Sequence, residues 1–564
     1  MKHIKRAAAL VLAVMLSLCL SLTAFAATGE VQKTGTLTVT GSGLWIPGEG
    51  SNAGIGKKVT AIRMFTARIT EGDDGNDDFD SYTLDKEWKD FFTKDATRFN
   101  AVKQEGGITG ENVTADNIAD SELSDAVVAY IKTLIKDNDD SKLAALAHDA
   151  QKWARENTNA LNSLPTTVVA KSANDQTDVT MGMATFESLT AGYYLVYPEG
   201  GSTGNNNRAT DAIFANVPKT GAQTNVKIKS TFPTVEKKVQ TSTNGAFEDN
   251  GSAQVGDPVT FKLTAKVPDM TDYNTYKFVF HDTLSNGLAF DANSVKVTVA
   301  GAAVIKDTDY KVVEPSGEGK ELTVTFEDLK KVTGADTGAE IVVTYTAKIT
   351  KDAVKDNPAK NTVYLEYSND PSSKGTGKSN PDVSKVYTYQ IDIDKFAVTE
   401  GNNHKQLAGA TFELRATADG TAIDLVKETT QDNTLVYHIK GTDETEATSV
   451  TEVTTPDTGK ITIKGLKAGT YYLVETKAPS GYNKLTKPVT IVITPDAKDF
   501  SQFTYTIDNG TPNTKNNTTV PVQNMKGTML PETGSFGTIG LTILGVAVVL
   551  LGVFAPKRRR KTAK

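Results

Sequence analysis

Between residues 259 and 267 apolar and polar side chains take strict turns. Val259, Phe261, Leu263, Ala265 and Val267 alternate with Thr260, Lys262, Thr264 and Lys266. Successive side chains of an extended strand point to opposite faces, so this pattern describes a strand with one buried and one wet face. Leu322, Val324 and Phe326 repeat it, as do Val343, Tyr345, Ala347 and Ile349. Thr- and Val-rich runs of this kind, broken by Gly, Asp, Asn and Pro, recur along most of the chain. They predict an all-β protein built from tandem β-sandwiches.

The two ends follow different rules. Lys2, Lys5 and Arg6 precede an apolar run from Ala7 to Leu22, and Ala24-Phe25-Ala26 is a small-x-small cleavage site. Residues 1–26 therefore read as a signal peptide. Cys19 is the only cysteine, and Leu18 before it is too large for a lipoprotein signal. The exported chain is left without thiol or disulfide chemistry. Near the other end, Leu530-Pro531-Glu532-Thr533-Gly534 is followed by 22 apolar, uncharged residues from Ser535 to Pro556, then by Lys557-Arg558-Arg559-Arg560-Lys561. Such a run is long enough to cross about 30 Å of hydrocarbon as a helix, with the basic tail held inside the cell.

The net charge of the whole chain is −7. Removing the three basic residues of the signal peptide and the six after Thr533, where there are no acids, leaves −16. An acidic surface disfavours nucleic acid and anionic lipid as partners.

Composition shifts mark two junctions. Ser230-Thr231-Phe232-Pro233 precedes a new strand, and Ser372 to Val386 is rich in Ser, Gly, Lys and Pro. The expected division is 27–230, 231–385 and 386–527, with the sorting segment at 528–564. Residues 459–475 (GKITIKGLKAGTYYLVE) resemble 182–197 (GMATFESLTAGYYLVY), and VTAIRMF at 59–65 resembles YQIDIDKF at 389–396. The first and third domains thus read as copies of one β-module. That alignment sets Met64 against Lys395 and Tyr197 against Glu475. The first copy also carries a helical insertion. Leu123, Val127, Tyr130, Ile131, Leu134 and Ile135 share one helical face, and Leu143, Leu146, Ala150 and Trp153 share another. Both stripes are expected to pack on the sandwich.

No histidine cluster, phosphate loop or nucleophile elbow suggests an enzyme. No cofactor or metal is expected. The unusual feature is polar residues at positions whose parity points inward. Lys395 shares parity with Ile391 and Ile393, Glu475 with Tyr471 and Leu473, and Asn524 with Val520 and Val522. In the middle domain Lys237 lies between Val235 and Val239, Asp282 shares parity with Phe278 and Phe280, and Asn361 with Val363, Leu365 and Tyr367. Lys238 is the competing lysine, with parity toward solvent. Burying such groups unpaired is costly, so each set either pairs or reacts.

YYLVETKAPSGY at 471–482 and VQNMKG at 522–527, just before LPETG, resemble a collagen-adhesin B-type domain of Gram-positive surface proteins. LPETG with its apolar span and basic tail resembles the cell-wall sorting signal read by sortases. The middle domain is similar to the A-type domain of major pilins. The resemblance covers the exported chain and implies tandem immunoglobulin-like sandwiches of B-, A- and B-type. It also implies two intramolecular isopeptide bonds, Lys395 to Asn524 assisted by Glu475 and Lys237 to Asn361 assisted by Asp282. In the expected chemistry the protonated carboxyl hydrogen-bonds the asparagine carbonyl, and burial favours the neutral amine. No such bond is expected in the first domain.

The implied partners are a sortase, further copies of the chain, peptidoglycan, ancillary pilins and a host surface ligand. A lysine near the first junction would receive the Thr533 acyl group. The stretch NVKIKSTFPTVEKK at 225–238 offers Lys229, with Lys227 as the alternative. The reading is a pilus shaft subunit, with a monomeric wall-anchored adhesin or a minor pilin as the rival.

Overall fold

The computed structural model describes residues 34–526 apart from 49–53, 72–76, 111, 136–140, 204–211, 220, 229, 243–244, 317–319, 356, 372–374, 400–401 and 430–434. The signal peptide, the LPETG motif, the apolar span and Lys229 lie outside the described residues. Among the described residues no helix is long and apolar enough to cross a membrane. Two compact units divide at Val386/Tyr387, with Ser252–Gly256 and Ala353–Lys355 counted with the second.

The first unit holds two sandwiches. In the earlier one the strand Thr34–Gly41 lies between Gln223–Lys227, in parallel, and Gly182–Thr190, antiparallel. The facing sheet runs Ile213–Val217, Gly192–Pro198, Lys58–Glu71, Asp77–Leu84, with Pro165–Val169 also on Lys58–Glu71. Leu37, Val39, Val59, Ala61, Phe186, Tyr194 and Val196 fill the space between the sheets.

The strand Gly192–Pro198 is buried on both faces, because helices cover its outer side. Those helices are the insertion: Lys89–Thr93, Ala96–Glu105, Asp120–Thr133 and Ser141–Glu156. Leu123, Val127, Ile131, Leu143, Leu146 and Ala150 join Ile62, Met64, Leu195 and Tyr197 in a second core, with Tyr130, Ile135 and Trp153 packed against it. The two stripes read from the sequence thus form the underside of a helical layer. Trp88, Phe91 and Phe92, which belong to neither stripe, are buried at the start of this layer.

In the second sandwich one sheet runs Val235–Gln240, Pro258–Lys266, Glu340–Ile349, Lys296–Val299. The facing sheet runs Asp382–Tyr387, Ala359–Ser368, Phe278–Leu284, Glu321–Phe326, Lys311–Val313. Alternation in Pro258–Lys266 and Glu340–Ile349 becomes alternate burial, as the sequence pattern requires. The strand Asp382–Tyr387 comes after Ala359–Ser368 in the chain and lies between it and the short strand Asn250–Ser252.

The second unit is the third sandwich. Tyr389–Val398 pairs in parallel with the late strand Thr519–Gln523 and antiparallel with Lys460–Leu466. The facing sheet runs Val453–Thr454, Thr411–Arg415, Gly469–Lys477, Val489–Pro495, Phe503–Ile507.

These ladders correct the sequence alignment of the two similar modules. Ile393 stands opposite Ile461 and Val520, as Val39 stands opposite Ala184 and Val226. Counting two residues along each strand puts Gly41, not Met64, where Lys395 lies. Counting four from Val226 and Val520 puts Ser230 where Asn524 lies. Met64 belongs to Lys58–Glu71, which pairs with Gly192–Pro198 as Thr411–Arg415 pairs with Gly469–Lys477.

The Tyr-Tyr-Leu-Val strings are also offset by one. Tyr194 donates its hydroxyl to the Thr190 carbonyl, and Tyr471 makes the same i−4 bond to Lys467. Glu475 therefore corresponds to Pro198, and Tyr197 faces the helices. Short apolar strings recur in any half-buried strand, and they do not record which strand is the neighbour.

Candidate functional site

Lys237, Asp282 and Asn361 are all fully buried in the second sandwich. Lys237 comes from Val235–Gln240 in one sheet. Asp282 and Asn361 come from adjacent strands of the other, where Leu284 is the register partner of Asn361. The Lys237 Nζ donates to both Asp282 oxygens, at 2.7 and 2.8 Å. Burial pulls the Lys237 ammonium down to about 8, against the opposing pull of Asp282. Burial likewise pushes the Asp282 carboxyl up. Each group thus leans toward its neutral form. Lys238, whose parity points to solvent, is part-exposed and paired with Asp249 at 2.7 Å.

A fourth residue, which the alternation marks only as a core aromatic, completes this cluster. Tyr345 donates its hydroxyl to Asp282 Oδ2 at 2.5 Å and accepts from Asn361 Nδ2. Asn361 Oδ1 is buried and has no partner among the described residues. Nothing in the alternation distinguished Tyr345 from a core aromatic, since it occupies an inward position like its neighbours Val343 and Ala347.

In the third sandwich Lys395 Nζ lies 3.2 Å from Glu475 Oε1, within ion-pair reach but off the line of a hydrogen bond. Both side chains are wholly buried, and burial lowers the Lys395 pKa. Lys395 lies on Tyr389–Val398, and Asn524 directly follows the parallel neighbour Thr519–Gln523. Val522 is the register partner of Lys395, and the Asn524 backbone N–H donates to the Phe396 carbonyl. Glu475 approaches from the facing sheet.

Here the structure differs from the expected contact. Glu475 Oε2 faces the Asn524 amide nitrogen, at 3.1 Å, and not its carbonyl. Asn524 Nδ2 also donates to the Asn483 carbonyl at 2.6 Å. Two acceptors meet this end of the amide, so it must present its donor. Asn524 Oδ1 is left buried and without a partner among the described residues.

Among the described residues the first sandwich brings no such group together. Its corresponding positions hold Gly41, Pro198 and Ser230, none with an amine, carboxyl or carboxamide in its side chain. Gly41 is closely packed: a Cβ there would meet Ile228 Cγ1 and Leu44 Cδ1 at 3.2 Å. Tyr197 instead lies under Arg155, whose guanidinium is 5.1 Å from the ring centre. Arg155 lies in the last turn of the Ser141–Glu156 helix, and its Nε is 3.7 Å from Asp370 Oδ1 of the second sandwich. His148 on the same helix is 3.2 Å from Asp272. The insertion therefore serves two sandwiches: an apolar face for its own and a charged edge for the next. Lys227 is exposed at the end of its strand, while Ile228 is buried.

Comparison with known proteins adds three family matches. Residues 255–371 match the Gram-positive pilin backbone subunit 2, Cna-B-like domain. Residues 393–511 match the SpaA prealbumin-like fold domain. Residues 524–564 match the LPXTG cell wall anchor motif. The middle segment, expected as an A-type module, thus matches a domain described as Cna-B-like.

Among curated relatives, the trypsin-resistant surface T6 protein of Streptococcus pyogenes is 25% identical over 402 residues, 59% of this chain and 70% of that protein. Fimbrial subunit type 2 of Actinomyces naeslundii is 26% identical over 338 residues, 56% of this chain and 59% of that protein. Among solved structures, the full-length major pilin SpaD from Corynebacterium diphtheriae is 19% identical. That alignment has a TM-score of 0.39 and covers 89% of this chain and 99% of that one.

Proposed function

From the premise that this chain is a Gram-positive pilin with an LPXTG cell-wall anchor, we propose that it is the structural shaft subunit of a sortase-assembled pilus. In this reading the chain is exported and divides into domains at 27–230, 231–385 and 386–527. Sortase cuts between Thr533 and Gly534 and transfers the threonine to Lys229 of the next copy, with Lys227 as the alternative acceptor. The last subunit is joined to peptidoglycan. The chain's own chemistry is two self-made isopeptide bonds, Lys237–Asn361 beside Asp282 and Lys395–Asn524 beside Glu475. In each, the lysine nitrogen bonds to the asparagine carbonyl carbon and ammonia leaves.

The observation that carries this reading is the pair of buried lysine, carboxyl and asparagine clusters. Each holds an amine whose pKa is lowered by burial beside an amide whose carbonyl has no described partner. A buried ion pair is weak as a stabilising device, because desolvation offsets most of the attraction. Reaction removes both charges and leaves a neutral amide, with the lysine delivered to its target by the fold itself.

Intact mass tests the chemistry. A soluble chain from Ala27 to Gly527 is expected to weigh about 34 Da less than its sequence, one ammonia of about 17 Da per bond. Asp282→Ala and Glu475→Ala each restore one such increment. A mass equal to the sequence overturns the proposal. Assembly is tested on boiled wall extracts, where a shaft subunit gives a high-mass ladder and Lys229→Ala removes it. Loss of the ladder only with Lys227→Ala reassigns the acceptor. A single anchored band from the parent chain selects the adhesin reading.

A further inference from the structure

We infer that Tyr345 is a catalytic proton relay for bond formation in the second sandwich, joining the Asp282 carboxyl to the departing nitrogen of Asn361. This rests on the isopeptide reading above and assigns a further group to it. The two clusters pose one chemical problem with carboxyls of different reach. The lysine must lose protons, and the asparagine nitrogen must gain one to leave as ammonia. In the third sandwich Glu475 can serve both ends itself, with Oε1 3.2 Å from the lysine and Oε2 3.1 Å from the amide nitrogen.

Asp282 is one methylene shorter. Among the described residues its side-chain hydrogen bonds go to Lys237 and Tyr345, and the one made by the Asn361 amide nitrogen goes to Tyr345. The phenol hydroxyl stands between carboxyl and amide, touching both. It is also 3.4 Å from Lys237 Nζ. Phe261 and Phe290, at ring distances of 5.5 and 5.6 Å, fix the ring in place. Burial holds the Tyr345 pKa well above the ordinary phenol value, so the hydroxyl keeps its proton between transfers.

The step balances. The Lys237 ammonium passes one proton to the Asp282 carboxylate, and the neutral amine attacks the Asn361 carbonyl carbon. As the carbon–Nδ2 bond breaks, Asp282 gives its proton to Tyr345, which hands its own to Nδ2. Ammonia departs, and Asp282 takes the second proton from Nζ, leaving the neutral amide and a protonated carboxyl.

The test is Tyr345→Phe in the Ala27–Gly527 chain, which keeps the ring and removes the relay. The parent is expected about 34 Da below its sequence mass, and the variant about 17 Da below, by one ammonia per bond. Peptide mapping should place the variant's remaining bond at Lys395–Asn524. A longer carboxyl should make the relay unnecessary, so Asp282→Glu added to Tyr345→Phe is expected to restore the full loss of about 34 Da. A merely packing role for the hydroxyl would not be repaired this way. Two results overturn the relay: a Tyr345→Phe chain with both bonds, or one whose missing bond Asp282→Glu does not restore. If the parent itself lacks the Lys237–Asn361 bond, the isopeptide reading of this sandwich fails, and the relay with it.

Discussion

A lysine and an aspartate facing each other in a dry core share a proton, and that sharing sets when they can react. The ion pair and its neutral tautomer hold the same number of protons, so pH does not choose between them. It chooses whether the shared proton is present at all. Burial raises Asp282 and lowers Lys237 to about 8. The one-proton state therefore lies between the raised carboxyl range and about 8. Above that Asp282 begins the reaction as a carboxylate, with no proton in place to pass toward the leaving nitrogen. Ammonia release from the second sandwich, followed by mass on freshly synthesised chain, is expected to slow beyond about pH 8. A rate still climbing at about pH 10 would mean that a free amine alone suffices. Removing one partner also has a folding cost. Asp282→Ala leaves Lys237 buried and unpaired, and should lower stability to urea by about 3–5 kcal/mol relative to a parent with the bond blocked by Asn361→Ala. Parity alone located all six of these lysine, carboxyl and asparagine side chains, because a charged residue at an inward position stands out against valines. Tyr345 escaped because its hydroxyl is invisible to a pattern that counts rings as apolar.

Among the elements, the Ser141–Glu156 helix was half legible. Its apolar stripe spaces Leu143, Leu146 and Ala150 three and four apart and could be read directly. Its charged edge could not, since Asp272 and Asp370 lie more than a hundred residues away and nothing local names them. Arg155 is nearly buried between Tyr197 and Asp370. A double-mutant cycle of Arg155→Ala and Asp370→Ala, read by denaturation of the soluble chain, should give a coupling of about 0.5–1.5 kcal/mol. Zero coupling would show the helix docked by its own core alone. The strand alignment failed at this same scale. IRMF and IDKF look alike, yet a strand's place is fixed by its ladder partners. The parallel pairing of Thr34–Gly41 with Gln223–Lys227 is what reveals its counterpart.

At the scale of the whole molecule, the two proposed bonds enclose very different stretches of chain. The first sandwich has neither, so protease or heat applied to the Ala27–Gly527 chain should cut or melt the part before Phe232 first. Fragment masses that begin in the third sandwich would contradict this. In the third sandwich Lys395 joins the strand beside the last one, and Asn524 stands just beyond Thr519–Gln523, so almost everything after Lys395 is shut inside the loop. The second sandwich is arranged otherwise. Asn361 is near the start of Ala359–Ser368, and the strand Asp382–Tyr387 follows it. The chain from Thr362 to Val386 is outside the loop. Its last strand, Asp382–Tyr387, is held by its ladders to Ala359–Ser368 and to the short strand Asn250–Ser252, a 2.7 Å bond from the Lys237 N–H to Asp382, and a 3.1 Å bond from Ser384 to the Lys237 carbonyl. Such bonds are worth about 0.5–1.5 kcal/mol each. A pull on the two ends of one chain should therefore peel this stretch while the covalent loop stays shut. At about 3.3–3.6 Å per residue it would pay out on the order of 80 Å, then re-zip when the pull relaxes. Single-molecule stretching should show that step, repeatable on the same molecule and enlarged in Asp282→Ala, where the loop can open. The stretch after Asn361 thus makes the second sandwich a bolt with a short length of recoverable slack, able to soak up a jolt before the bond itself is strained.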